Sequence, residues 1–303
     1  MKRFARNIIL FLLLTLLFTV VLTGLLGGTG WLRNVSYKLD VGDNLYTKAK
    51  EAKTVQGVDV LFFGSSHAYR TFDPRIFAEK GVTMFNLGSS NQTPMQSEVL
   101  LRTLAPKVNP RLVVIEVHPD IIGHDGIEAA LFQVCNVSPS WPMVWMVCRT
   151  RNWRVMMTAL YAIPHNMWSA EFKNHKDKQE GYRAGFLEHE MGYYSPQPHD
   201  PAAIRPLPQQ LKALRRCTEW LQARGIPYIL LEVPDTKVLL DSYYNIDDFQ
   251  SLMYDYGKFY FKPLSTLDDS LHFYNEDHLN QQGVELYDDY ICDSLIVPIL
   301  NDL

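Results

Sequence analysis

The hydrophobic pattern is most continuous at the start of the chain. Lys2, Arg3 and Arg6 come first, and Ile8 to Leu26 then run without a charge, broken only by Thr15, Thr19, Thr23 and Gly24. At about 1.5 Å of rise per residue, roughly 19 such positions cover about 29 Å, close to the hydrocarbon thickness of a bilayer. The pattern predicts a membrane-spanning helix. With the cations on its N-terminal flank, residue 1 is expected on the cytoplasmic side and everything after Gly28 outside it. A cleaved signal peptide would have a shorter apolar region, about 7–15 residues, ending in a small-residue cleavage site. Gly27-Gly28-Thr29-Gly30-Trp31 matches that poorly, so the expectation is an uncleaved single-pass anchor in an inner or plasma membrane.

Beyond the anchor, short apolar runs alternate with helical periods. Val58–Phe63, Val82–Leu87, Leu112–Val117 and Tyr228–Val233 read as buried parallel strands. Asp73-Pro74 opens a short helix that Gly81 closes, and Thr93-Pro94-Met95-Gln96 is a capping box for a helix ending near Pro106. Leu211, Leu214, Cys217 and Leu221 keep helical spacing until Gly225, and a last helix from Gln281 to about Pro298 buries Val284, Tyr287, Ile291 and Leu295. This alternation predicts an α/β fold, a three-layer α/β/α sandwich around a parallel sheet. Residues 1–30 form the cytoplasmic stub and anchor, and 31–303 one extracytoplasmic domain with an insertion at about 120–205. Within the insertion, Trp141 to Trp168 is rich in Trp, Met, Val and Tyr, but Arg149, Arg151 and Arg154 argue against a second span. It reads as a helical subdomain, or as an aromatic surface for the bilayer or a membrane partner.

Composition narrows the function. The formal charge is −4, and removing the three N-terminal cations leaves the remainder near −7 with no basic run, so nucleic acid is not an expected partner. Cys135, Cys148, Cys217 and Cys292 are too scattered for a zinc knuckle, leaving one or two bridges or buried thiols.

Candidate chemistry sits where the first strand ends, in Gly64-Ser65-Ser66-His67. Ligands of open α/β sheets bind at the carboxyl ends of strands, and a serine there can present its hydroxyl beside free backbone N–H groups. About 212 residues later, Tyr274-Asn275-Glu276-Asp277-His278-Leu279-Asn280 stands before the last helix. A serine hydroxyl needs a neighbouring base, and the base needs a third group to fix its tautomer. Ser66 and His278 are therefore the expected pair, with either Asn275 or Asp277 orienting the imidazole.

These segments resemble the SGNH/GDSL hydrolases, over about Val58 to Ile296. The resemblance implies Ser66 as nucleophile and His278 as base, with Ser65 in place of the family's Asp. It implies Gly88 of Asn86-Leu87-Gly88-Ser89-Ser90-Asn91 as an oxyanion donor and Asn91 as another. The family's third block is replaced by Val114-Ile115-Glu116-Val117-His118-Pro119, and Asn275 stands where its triad acid would be. The Gly-Ser-Ser variant and the anchor are most similar to the branch working beside membrane-bound O-acyltransferases, such as the teichoic-acid D-alanylation protein. That likeness implies an O-acyltransferase or esterase acting on a cell-envelope polysaccharide or glycolipid, with a multi-span membrane acyltransferase as partner and a glycan as acceptor. An inert glycan-binding or scaffold subunit is the competing expectation. His67 and His118 are expected to contact substrate, and Glu116, His118 and Asp120 to make structural hydrogen bonds rather than to hold a metal. No cofactor is called for.

Overall fold

The computed structural model describes residues 2–27, 29, 31–40, 42–176, 180–189 and 192–303. Gly28 and Gly30, at the expected end of the anchor, lie outside the described residues.

Five strands form one wholly parallel sheet: β1 (Val60–Phe63), β2 (Met84–Asn86), β3 (Leu112–Glu116), β6 (Tyr228–Glu232) and β7 (Phe259–Phe261), in the order β2-β1-β3-β6-β7. An antiparallel ribbon of β4 (Tyr182–Arg183) and β5 (Phe186–Leu187) is added from the insertion. Parallel strands need crossovers, and helices serve as those crossovers on both faces. The alternation of side chains along each strand then divides the core in two. Leu61, Phe63, Val113, Ile115 and Leu230 point into one apolar cluster, with the helices Pro94–Val108 and Pro208–Gln222. Val60, Phe62, Leu112, Val114, Ile229 and Leu231 point into the other, with Phe77 of helix Pro74–Glu79 and the C-terminal helix Gln281–Ile291. Phe62 stacks on Phe72 at 4.2 Å between centroids and meets Phe77 edge-on at 5.5 Å, so truncating it would cost about 3–5 kcal/mol. The result is the three-layer α/β/α arrangement with an apolar N-terminal helix, Lys2–Leu26.

Helix boundaries depart from the sequence reading in two places. The Pro94–Val108 helix continues through Pro106, because that ring is solvent-exposed in the last turn, where one bond is lost, and continuation buries Val108. The last helix is three segments: Gln281–Ile291, a π segment Cys292–Ile296, and Val297–Asn301. The insertion holds helices Ile127–Asn136, Trp141–Thr150, Trp153–Trp168 and Ala170–Asn174. Met143, Met146, Val155 and Ala159 join the same cluster as Leu61 and Val113, while Trp141, Trp145, Trp153 and Trp168 stay exposed. The N-terminal helix leans on Trp153–Trp168, with Gly27 so close to the Tyr161 ring that a Cβ would collide with it. All four cysteines are free thiols.

Candidate active site

In this strand order the chain leaves β1 toward β2 on one side and returns to β3 on the other, so the switch point lies between the carboxyl ends of β1 and β3. Both ends carry polar residues. Gly64 follows β1 with φ of 152°, and any Cβ there would strike the Glu116 side chain at the end of β3. Only glycine fits that turn. Ser65 N-caps the helix Ser66–Thr71, accepting the His67 N–H on its hydroxyl, and Ser66 is left at the first helical position, partly exposed. The Ser66 N–H has no carbonyl four residues back within the helix to receive it.

The distant loop is built just as locally. Phe273 and Leu279 form an antiparallel bridge, and Tyr274 N–H donates to the His278 carbonyl at 2.8 Å. Asn275 Oδ1 accepts the N–H groups of Asp277 at 3.3 Å and His278 at 2.8 Å, which is an Asx turn. Asn280 caps the following helix by accepting the Gly283 N–H at 3.0 Å. The loop holds His278 so that its Nε2 lies 2.8 Å from Ser66 Oγ. Its Nδ1 lies 2.6 Å from Asp277 Oδ1 and 3.2 Å from Asn275 Oδ1. The carboxylate therefore has the shorter contact, while Asn275 mainly shapes the backbone.

Electrostatics match this geometry. Burial would raise the Asp277 carboxyl, but the neighbouring imidazoles of His278 and His67 outweigh it and hold it well below the usual carboxylate range. Burial, and then the neighbouring His67, lower the His278 imidazole against the opposing pull of Asp277. These directions favour an ionised Asp277 beside a neutral His278, the pairing in which Nε2 can accept the Ser66 hydroxyl proton.

Other expected residues fall elsewhere. His67 and His118 are buried under the site, where they cannot meet a substrate directly. His67 stacks between His278, at 4.6 Å and 12°, and His118, at 3.8 Å and 7°. His118 Nε2 is 2.9 Å from Asp235 Oδ1, and although burial alone would lower this imidazole, Asp235 carries it up to about 9. The Gly88 N–H donates to Asn86 Oδ1 at 2.9 Å, and the Asn91 amide to Glu128 Oε2 at 3.0 Å. Both expected oxyanion donors are thus committed to other acceptors, because the Asn86 side chain folds back on its own loop and Asn91 is turned outward at φ of 50°. Asp120 N–H donates to His118 Nδ1 at 3.3 Å, and Glu116 Oε2 accepts from Ser65 N at 2.7 Å.

Sequence reasoning missed Asp235, Glu232 and His189. Asp235 follows β6 by three residues, so the sheet-edge rule that selected Ser66 would have found it. His189 arrives from the β4–β5 ribbon, stacked on Tyr274 at 4.3 Å and edge-on to His278 at 5.7 Å, with its imidazole pushed down to about 3 by burial first and Arg70 next. Nothing in its local sequence marks it. His67, His118 and Asp235 lie close enough together to suggest a metal site, as do His67, Asp277 and His278. Both His118 nitrogens already have protein partners, however, Asp235 Oδ1 on Nε2 and the Asp120 N–H on Nδ1, and His278 Nε2 and Nδ1 face Ser66 and Asp277.

No family model matches the sequence, and no curated protein does. Among solved structures, the chain is similar to a protein described as an acylhydrolase from Bacteroides fragilis (13% identity, 86% of this chain and 98% of that one, TM-score 0.43). It is also similar to a GDSL-like lipase from Bacteroides thetaiotaomicron (14%, 86% and 98%, TM-score 0.40) and to a lipase/acylhydrolase from Enterococcus faecalis (15%, 80% and 97%, TM-score 0.25). Likenesses of this size carry no conclusion about chemistry, which rests on the arrangement of Ser66, His278 and Asp277.

Proposed function

We propose that this chain is a serine-dependent acyl-transfer enzyme of the SGNH type, an esterase or O-acyltransferase held at a membrane by its N-terminal helix. The observation that carries the reading is the Ser66 Oγ to His278 Nε2 distance of 2.8 Å with Asp277 at 2.6 Å on the opposite nitrogen. Neutral His278 takes the Ser66 proton as Oγ attacks an ester carbonyl. The imidazolium formed keeps its Nδ1–H on Asp277, and the Ser66 N–H faces the developing oxyanion. Collapse breaks the ester bond, and the leaving alkoxide takes the Nε2 proton. The acyl group is now on Ser66. A second hydroxyl then gives its proton to Nε2 and attacks the acyl-serine, freeing Oγ to recover that proton.

The second hydroxyl belongs to a cell-envelope glycan in the transferase reading and to water in the esterase reading. The anchor supports the envelope assignment: Lys2–Leu26 is long and apolar enough to cross a bilayer, and Phe11, Phe18 and Leu25 are largely exposed. A groove lined by Val20, Gly24, Tyr161, Pro164 and Trp168 opens beside the N-terminal helix, and Trp is a residue favoured at membrane–water interfaces. A multi-span acyltransferase supplying the acyl group remains part of the proposal, resting on the Gly-Ser-Ser motif and the anchor. The inert-scaffold alternative rests on Asn275 and on the missing third block, and Asp277 at Nδ1 speaks against the first of these.

Full-length protein in detergent should hydrolyse p-nitrophenyl acetate and take up a fluorophosphonate at Ser66, with Ser66→Ala doing neither. Adding glycan acceptor should divert product to acylated glycan if the enzyme is a transferase. Absence of both turnover and labelling in the wild type would overturn the reading.

A further inference from the structure

The acyl-transfer reading uses three side chains, yet the close polar contacts continue beyond Asp277. Its second oxygen, Oδ2, lies 3.3 Å from His67 Nε2, an ion-pair contact rather than an aligned hydrogen bond. His67 Nδ1 lies 2.8 Å from Ser65 Oγ, and Ser65 Oγ lies 2.9 Å from Glu116 Oε2, which also takes the Ser65 N–H at 2.7 Å. Ser65, His67 and Glu116 are all buried. The chain thus runs Glu116, Ser65, His67, Asp277, His278, Ser66.

Counting hydrogens constrains it. The Ser65 hydroxyl has one hydrogen and two short contacts, so one neighbour must donate back to Oγ. Suppose the hydroxyl donates to Glu116. Then His67 Nδ1 must carry a hydrogen toward Oγ. A bare Nε2 lone pair would be repelled by ionised Asp277, so Nε2 is protonated too, and His67 is an imidazolium facing a Glu116 carboxylate. Suppose instead the hydroxyl donates to His67 Nδ1. Then Glu116 brings its own hydrogen to Oγ, and His67 is neutral with its hydrogen on Nε2. The two arrangements contain the same number of hydrogens, and both direct an N–H at Asp277.

We infer that His67 is a positioning residue for the triad acid, its Nε2–H fixed on Asp277 Oδ2 by one proton that His67 and Glu116 share through Ser65. The ring cannot tilt away, being sandwiched between His278 and His118. The charged and titratable groups facing it are Glu116 from β3, His118 beyond β3 with its partner Asp235, Glu232 behind Asp235, and Asp277 with His278 from the loop. This also gives the variant serine its reason. Ser65 supplies the one hydroxyl that can both accept and donate between a carboxylate and an imidazole.

The activity tests rest on the proposed function, but the tautomer does not. Nitrogen-15 histidine spectra of full-length protein in nanodiscs, assigned by difference with His67→Phe, should show His67 Nε2 protonated throughout the neutral range. A bare Nε2 with the hydrogen on Nδ1 alone would overturn the inference even if the enzyme were inactive toward esters. With p-nitrophenyl acetate, His67→Phe keeps an aromatic ring in the stack and removes both nitrogens. Its kcat should fall about ten- to a hundredfold with KM within about twofold, and the acid limb of kcat/KM should move to higher pH because Asp277 then serves His278 alone. His67→Gln, which restores an N–H donor, should recover part of kcat. An unshifted acid limb and equal kcat for the Phe and Gln variants, both folded by thermal melting, would mean that His67 only packs.

Discussion

Replacing Asp277 by Asn tests the site most sharply, because the sequence offers two residues that could steer His278. Asp277 faces an imidazole nitrogen on each oxygen, His278 Nδ1 at 2.6 Å and His67 Nε2 at 3.3 Å, whereas an amide offers one acceptor and one donor. Either His278 loses the acceptor that fixes its tautomer or His67 meets an NH2 group. In a serine protease the corresponding change costs about 10⁴ in kcat. Here Asn275 Oδ1, 3.2 Å from the same Nδ1, supplies a neutral substitute and recovers part of the loss. The expected fall in kcat for Asp277→Asn is therefore about 10²–10⁴, or roughly 3–5 kcal/mol of transition-state stabilisation. Asn275→Ala removes turn hydrogen bonds to two backbone N–H groups, each worth about 1 kcal/mol net, so its loss should be nearer tenfold. The assay is steady-state hydrolysis of p-nitrophenyl acetate by full-length protein, with fluorophosphonate labelling to count active sites. If Asn275→Ala proved as damaging as Asp277→Asn, with both proteins folded, the assignment of the acid would be wrong.

Activity should persist below the ordinary histidine value of 6.5: the rate needs neutral His278, whose pKa is lowered, so kcat/KM falls only as pH drops through that lowered value, and an acid limb above 6.5 would contradict this. Glu232 is buried with its carboxyl pushed up to about 8, by burial first and Asp235 next, so it favours the folded state below the unfolded value of 4.5 and loses that contribution as pH rises toward 8. Glu232→Gln should accordingly raise the melting temperature at pH 8 by a few degrees and change little near pH 5, and the reverse pattern would refute the argument. Gly64→Ala should lose about 3 kcal/mol or more and most activity, since it meets both a positive φ and the Glu116 side chain; wild-type melting would show that the turn is not so constrained. The protein should resist alkaline carbonate extraction, and deleting residues 2–26 should release it from membranes.

Three of the legible strands, β1, β3 and β6, each present four consecutive apolar residues, as a buried parallel strand favours, whereas β2 was found from the looser run Val82 to Leu87. β7 escaped because Phe259–Phe261 is only three residues long and lies among Tyr, Lys and Gly, so no run stands out. The π segment at Cys292–Ile296 escaped because its residues keep ordinary helical composition and only the hydrogen-bond register changes. At the site, Ser66 and His278 were readable since each adjoins a recognisable local device, the end of β1 for Ser66 and the Asn280 cap of the last helix for His278. The choice between Asn275 and Asp277 was not, because it depends on how a five-residue loop turns. His67 is expected from its neighbour to contact substrate, whereas the helix starting at Ser66 swings it inward, and it is buried.

That inward turn makes the segment after β3 part of the same buried layer. In Val114-Ile115-Glu116-Val117-His118-Pro119, Glu116 and His118 both face the layer beneath Ser66 rather than the substrate. Glu116 holds Ser65 and His118 supports His67, so the block supplies the floor of the site, and Asp235 from the next strand holds His118 in turn. A substitution in this floor should therefore act on kcat and on the pH profile while leaving ester binding nearly untouched. Asp235→Asn is the cleanest case, because it is buried, touches neither Ser66 nor His278 in any hydrogen bond described, and removes the carboxylate that carries His118 up to about 9. A rise in KM without a change in kcat would show that the floor is instead part of the substrate pocket.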